Sequence, residues 1–180
     1  MFKAMHQLRT KISKGERGFT LVELLIVVAI IGILAAIAIP QFAAYRTRSY
    51  NAAATSDLRN VRTTQESLFA DNSSYAPAAL GTGNIVFNFP AGTPVGTFSV
   101  SKNVKMGVVT NPAGPTSISP ATTYTATAKN DAGDRIFCGE AEMTSIWYAP
   151  SAVGTQLGAL VAASVGAVND CPAVALAAQL

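Results

Sequence analysis

The chain has 180 residues, of which 49% are apolar and 13% charged. That length suits one ordinary globular domain, and the low charge excludes a highly charged disordered chain. Five of the 13 Lys and Arg (Lys3, Arg9, Lys11, Lys14, Arg17) lie in the first 18 residues beside one acid, Glu16; that stretch carries 5 − 1 = +4, and the other 162 residues carry 8 − 9 = −1. His6, the one histidine, lies there too. Without that stretch the chain cannot build a His-based triad, a His-ligated metal centre or a His-ligated haem. Two cysteines fall short of a four-cysteine zinc site.

Residues 1–18 are polar and cationic, with no apolar periodicity. Phe19 to Ile39 is then a run of 21 residues with one charge, Glu23. At about 1.5 Å per residue it predicts roughly 31 Å of helix, the thickness of a bilayer hydrocarbon core. The basic flank predicts a cytoplasmic N-terminus. The alternatives are a buried helix of a soluble core and a conventional secretory signal. The latter has an apolar region of about 7–15 residues followed by a small-residue cleavage site; this run is longer, and no convincing processing site precedes Pro40. A carboxylate near the start of a membrane helix costs on the order of 2–3 kcal/mol. Glu23 is therefore either functional or a tolerated interfacial charge.

The segment Lys14-Gly15-Glu16-Arg17-Gly18-Phe19-Thr20-Leu21-Val22-Glu23 resembles the prepilin processing signal of type IV pilins. The run through Pro40 resembles the N-terminal helix of that family. The resemblance covers residues 14 to about 75. It implies removal of a leader (1–18) by a membrane aspartic peptidase cutting between Gly18 and Phe19. It also implies N-methylation of Phe19 by the same processing enzyme, with S-adenosylmethionine as donor. The short leader and the Phe at the new terminus favour the a-subclass. Glu23, Gly32 and Pro40 are then assembly residues: Glu23 pairs with a neighbour's terminal amine, and Gly32 to Pro40 melts on assembly.

The helix is expected to continue past Pro40, kinked by the lost hydrogen bond, and to span 19–70, roughly 78 Å if unbroken. Ala43, Tyr50, Ala54, Leu58, Val61 and Leu68 form a stripe at helical spacing. Asp57, Arg59, Arg62 and Glu66 fall mostly on other faces. Asp71 to Ser74 end the helix, and Pro77, Gly81 and Gly83 extend a loop. β-like runs follow at Asn84–Phe89, Gly96–Val100, Val104–Val109, Thr122–Ala128, Arg135–Cys138 and Ser145–Tyr148. Turn signals at 91–94, 111–115 and 130–133 separate them. Residues 151–170 fit loop, strand or short helix. The predicted fold is α+β, a long N-terminal helix covering an antiparallel sheet formed by residues 71–180.

Cys138 and Cys171 are expected to pair in an exported domain, as type IV pilins often staple a C-terminal loop; two buried free thiols are the alternative. No constellation of residues suggests catalysis, a metal or a cofactor. Asp131, Asp134, Glu140 and Glu142 cluster, but the EF-hand spacing is missing, and a solvated turn fits better than a calcium site. Arg46, Arg48, Arg59 and Arg62 could form a basic stripe. The −1 charge of residues 19–180 argues against nucleic acid and favours pairing with Asp57 or Glu66 between subunits. Phe19, Phe42, Tyr45, Tyr50, Phe69 and Tyr75 resemble the aromatic array of short pilins for which extracellular electron transfer is proposed; packing between helices is the simpler role.

The resemblance therefore implies a non-enzymatic major pilin, a homopolymer serving adhesion, twitching motility, DNA uptake or electron transfer. Its partners would be the prepilin peptidase/N-methyltransferase, the inner-membrane assembly platform and, before assembly, the membrane itself. A secretion pseudopilin, acting as a short periplasmic piston, is the alternative.

Overall fold

The computed structural model describes residues 18–89, 94–111, 121–141, 144–154, 157 and 171. Residues 1–17, most of the turn signals at 91–94 and 111–115, Glu142, and most of 151–170 lie outside the described residues. The chain divides into two compact units, Met1–Ala43 and Ala44–Leu180. One helix, α1 (Leu21–Asn72), supplies residues to both, and Pro40 lies inside it without ending it.

In the first unit no described residue is buried. The large apolar side chains from Leu21 to Phe42 are all at least half exposed, Val27 least at 51%. Leu, Ile, Val and Ala on every side are what makes this helix stable in an apolar medium and leaves it without an inward face in water.

The second unit is built the opposite way. Ala54, Asp57, Leu58, Val61, Gln65 and Leu68 are buried along one stripe of α1. Of the expected stripe, Ala43 is exposed and Tyr50 only half-buried. Asp57 is on the core face, contrary to the expectation from sequence, because its carboxylate accepts hydrogen bonds from Ser101 N (2.7 Å) and Oγ (3.0 Å). Those bonds replace lost water, so burial of the charge is tolerated. Asp57 is thereby held within its own chain by Ser101.

Seven antiparallel strands make the sheet: β1 (Ala78–Gly81), β2 (Asn84–Asn88), β3 (Pro94–Ser99), β4 (Val104–Asn111), β5 (Thr123–Asn130), β6 (Arg135–Glu140) and β7 (Trp147–Pro150). Their order is β3-β2-β1-β4-β5-β6-β7. One meander runs outward from β1, and the chain returns to its other side for a second. Alternation puts Ile85, Phe87, Val104, Met106, Val108, Tyr124, Ala126, Ala128 and Phe137 in one core with the α1 stripe. Ile136, Cys138 and Ala149 point to the opposite face and are also buried.

Ala78–Gly81 is a strand where the sequence reads as loop. Its Ala-Ala-Leu-Gly has little β propensity, but β2 and β4 pair with its two edges. β5 and β6 each run two residues beyond the expected ends, through Lys129-Asn130 and Gly139-Glu140, all four of them buried. β7 lies two residues later than expected.

Candidate processing and assembly site

Gly18, Phe19 and Thr20 precede the helix and are exposed. Thr20 is its N-cap. Thr20 O accepts from Leu24 N at 3.2 Å, and Thr20 Oγ1 accepts from Glu23 N at 3.2 Å. In return, Glu23 Oε2 accepts from Thr20 N and from Thr20 Oγ1, both at 2.8 Å. This is a reciprocal capping box, with Glu23 three positions into the cap. It satisfies orphan N–H groups at the helix start and places negative charge at the positive end of the helix dipole. The Thr-x-x-Glu spacing was in the sequence but was masked by the apolar run that makes Glu23 look anomalous. The carboxylate is folded back on its own helix start, two residues past the Gly18–Phe19 bond. A Cβ at Gly32 would meet no atom within 4 Å, so nothing inside one subunit requires glycine there.

The six singled-out aromatics divide. Phe19, Phe42 and Tyr45 are exposed, at 89%, 65% and 63%. Tyr50 is half-buried and accepts a hydrogen bond on its hydroxyl from Arg46 Nη2 at 2.9 Å. Phe69 and Tyr75 belong to the sheet's core. Phe69 stacks on Tyr75 at 4.6 Å, and Tyr75 meets Tyr124 edge-on at 4.7 Å. The Tyr75 hydroxyl donates to Glu66, 3.3 Å from each carboxylate oxygen. Burial, opposed by Arg62, pushes the Tyr124 hydroxyl up to about 12.

Gln65, missed by sequence reasoning, clamps one peptide unit at the helix exit. Its Nε2 donates to Ala76 O at 2.7 Å and its Oε1 accepts from Ala76 N at 3.1 Å. A Gln at helical spacing from Leu58, Val61 and Leu68 is the trace of this in the sequence.

The acidic cluster does not act as one group. Asp131 faces Lys105 at 3.8 Å. Asp134 Oδ1 accepts from Asn51 Nδ2 at 2.6 Å. Glu140 is buried, against the expectation of a solvated turn, and accepts from the backbone N of Cys171. Beneath the β5–β6 turn the ammonium of buried Lys129 donates to Asn130 O and Gly133 O, both at 3.3 Å. Desolvation lowers its pKa, with Asp131 and Asp134 opposing. The turn packs so closely on α1 that a Cβ at Gly133 would lie 2.5 Å from Asn51 Oδ1. Among the described residues no group of three or more His, Cys, Asp or Glu could hold a metal ion. Cys138 and Cys171 form a disulfide.

Residues 13–39 match the family described as the prokaryotic N-terminal methylation motif. The chain is 47% identical over 70 residues to the type IV major pilin protein PilA of Myxococcus xanthus, covering 39% of this chain and 32% of that one. It is 46% identical over 81 residues to the type IV major fimbrial protein FimA of Dichelobacter nodosus (43% and 52%). It is 47% identical over 66 residues to a fimbrial protein of Pseudomonas aeruginosa (37% and 43%). The matches thus span about a third to a half of these relatives' lengths. The chain joins a match to the N-terminal methylation motif with an apolar helix that continues into a helix-on-sheet unit. Over 66 to 81 residues the chain is thus similar to type IV pilins and fimbrial proteins.

Proposed function

We propose that this chain is a structural subunit of an extracellular type IV pilus, made as a single-pass inner-membrane precursor with a cytoplasmic leader. The observation that carries this reading is the Leu21–Ile39 surface, apolar on every side and uncovered within the subunit. A helix of that kind needs lipid first and then other copies of itself. The proposed domains are a leader at 1–18, a helix at 19–70 whose 19–39 part inserts and polymerises, and a sheet domain at 71–180. The proposed maturation is cleavage between Gly18 and Phe19 and methylation of the new Phe19 amine by the prepilin peptidase/N-methyltransferase. That bond lies in an exposed, non-helical stretch ahead of the capping box, which supports access by a peptidase.

Glu23 then leaves or shares its cap to pair with a neighbour's terminal amine, which sets the docking depth. Gly32, with low helix propensity, and Pro40, without an N–H, mark where the helix loosens on assembly. The role is structural, not catalytic. The similarity to major pilins and fimbrial proteins supports a pilus over a secretion pseudopilin. Electron microscopy of sheared surface filaments, with mass spectrometry of their subunit, tests the reading. The expected subunit begins at methylated Phe19; filaments lacking this chain, or carrying an intact leader, would overturn it.

A further inference from the structure

We infer that Glu140 is a positioning residue for closure of the Cys138–Cys171 bridge: its buried carboxylate grips the Cys171 backbone and brings that thiol to Cys138. Glu140 follows Cys138 by two residues on β6, so both side chains leave the same face of the sheet. The Glu140 carboxylate accepts from Cys171 N, while the Cys171 sulfur reaches Cys138. The incoming residue is thus held at two points, backbone and side chain. All three residues are buried, Cys171 completely. With water excluded, a bond from a neutral N–H to a carboxylate is strong and directional.

Thirty-three positions separate the two cysteines. Before the bridge exists, bringing Cys171 to the sheet costs loop-closure entropy. A carboxylate carried on β6 offsets part of that cost and selects the approach. Because the bridge lies within one chain, the inference is independent of polymerisation. In the closing reaction the two thiols lose two electrons and two protons. A small-molecule disulfide such as oxidised glutathione takes them through a mixed disulfide and leaves as two thiols.

The test uses the full chain in detergent micelles, equilibrated in glutathione redox buffers and quenched by alkylation. Mass spectrometry then reads the ratio of bridged to open chain. Glu140→Met, similar in length but with no acceptor oxygen, is expected to lower the closure equilibrium about tenfold. Glu140→Gln, which keeps an acceptor but not the charge, is expected to lower it about threefold. In the bridged chains hydrogen exchange at the Cys171 amide should accelerate in both variants while β4 and β5 amides stay protected. A residue that merely stabilises the sheet would not give that local pattern. If Glu140→Met fails to fold, Glu140→Gln carries the test. Closure and Cys171 exchange unchanged in Glu140→Gln would overturn the inference.

Discussion

The two parts of α1 show how one helix can serve two environments. Before Ala43 the side chains are apolar all round and exposed. Beyond it, one stripe is buried, and the charged side chains apart from Asp57 lie off it. In the first part the single acid, Glu23, is satisfied by Thr20 within its own helix turn. In the second, the buried acid Asp57 is satisfied by Ser101, 44 residues away. On the proposed function, a helix that passes from membrane to polymer is served within its own subunit by local partners. A helix that stays with its sheet can use distant ones. Changes in the first part are therefore expected to spare folding and spoil assembly, and changes in the second to do the reverse.

The largest expected effect is on assembly. Glu23→Ala should insert, be cleaved and fold, yet lower filament yield relative to membrane pilin by about two to four orders of magnitude, as expected when a buried charge loses a partner worth roughly 3–5 kcal/mol. Glu23→Asp should be partly active. Normal filament yield from Glu23→Ala would show that the carboxylate does not guide docking.

The sheet unit responds in stability. Replacing Cys138 and Cys171 together by Ser should cost roughly 3–4 kcal/mol on the chain-entropy account, seen as a lower denaturant midpoint, without changing membrane insertion. Gln65→Leu should cost about 3 kcal/mol, because it strands the N–H and C=O of Ala76 in the core. The check is the same unfolding curve, and a loss below about 0.5 kcal/mol would mean that Ala76 finds other partners.

The smallest effect is confined to alkaline pH. Tyr124 holds its proton to about 12 when folded, whereas an unfolded tyrosine loses it near 10. The folded state then binds more protons, so this group's contribution is complete below pH 10 and is lost as pH rises from 10 to 12. Tyr124→Phe should flatten that part of the stability profile and leave the neutral part nearly unchanged. An equally steep loss in the variant would assign the alkaline transition to another group.

Much of this architecture was legible in the residues because it depends on local periodicity. The Phe19–Ile39 run, the stripe through Ala54, Leu58, Val61 and Leu68, and the alternation of Tyr124, Ala126 and Ala128 each carry a repeat that chemistry imposes on helix or strand. The processing motif is local as well, and residues 13–39 alone match it. Tertiary structure decided what local pattern cannot express. Ala78–Gly81 became a strand because two neighbours needed its backbone groups. Glu140, expected in a solvated turn, and Lys129, just past the expected strand end, are buried and hydrogen-bonded to backbone at Cys171, Asn130 and Gly133. Asp57 and Gln65 turned inward because Ser101 and Ala76 supply hydrogen bonds from outside α1. A polar side chain's burial depends on partners brought by the fold, and those partners leave no periodic signal in the sequence.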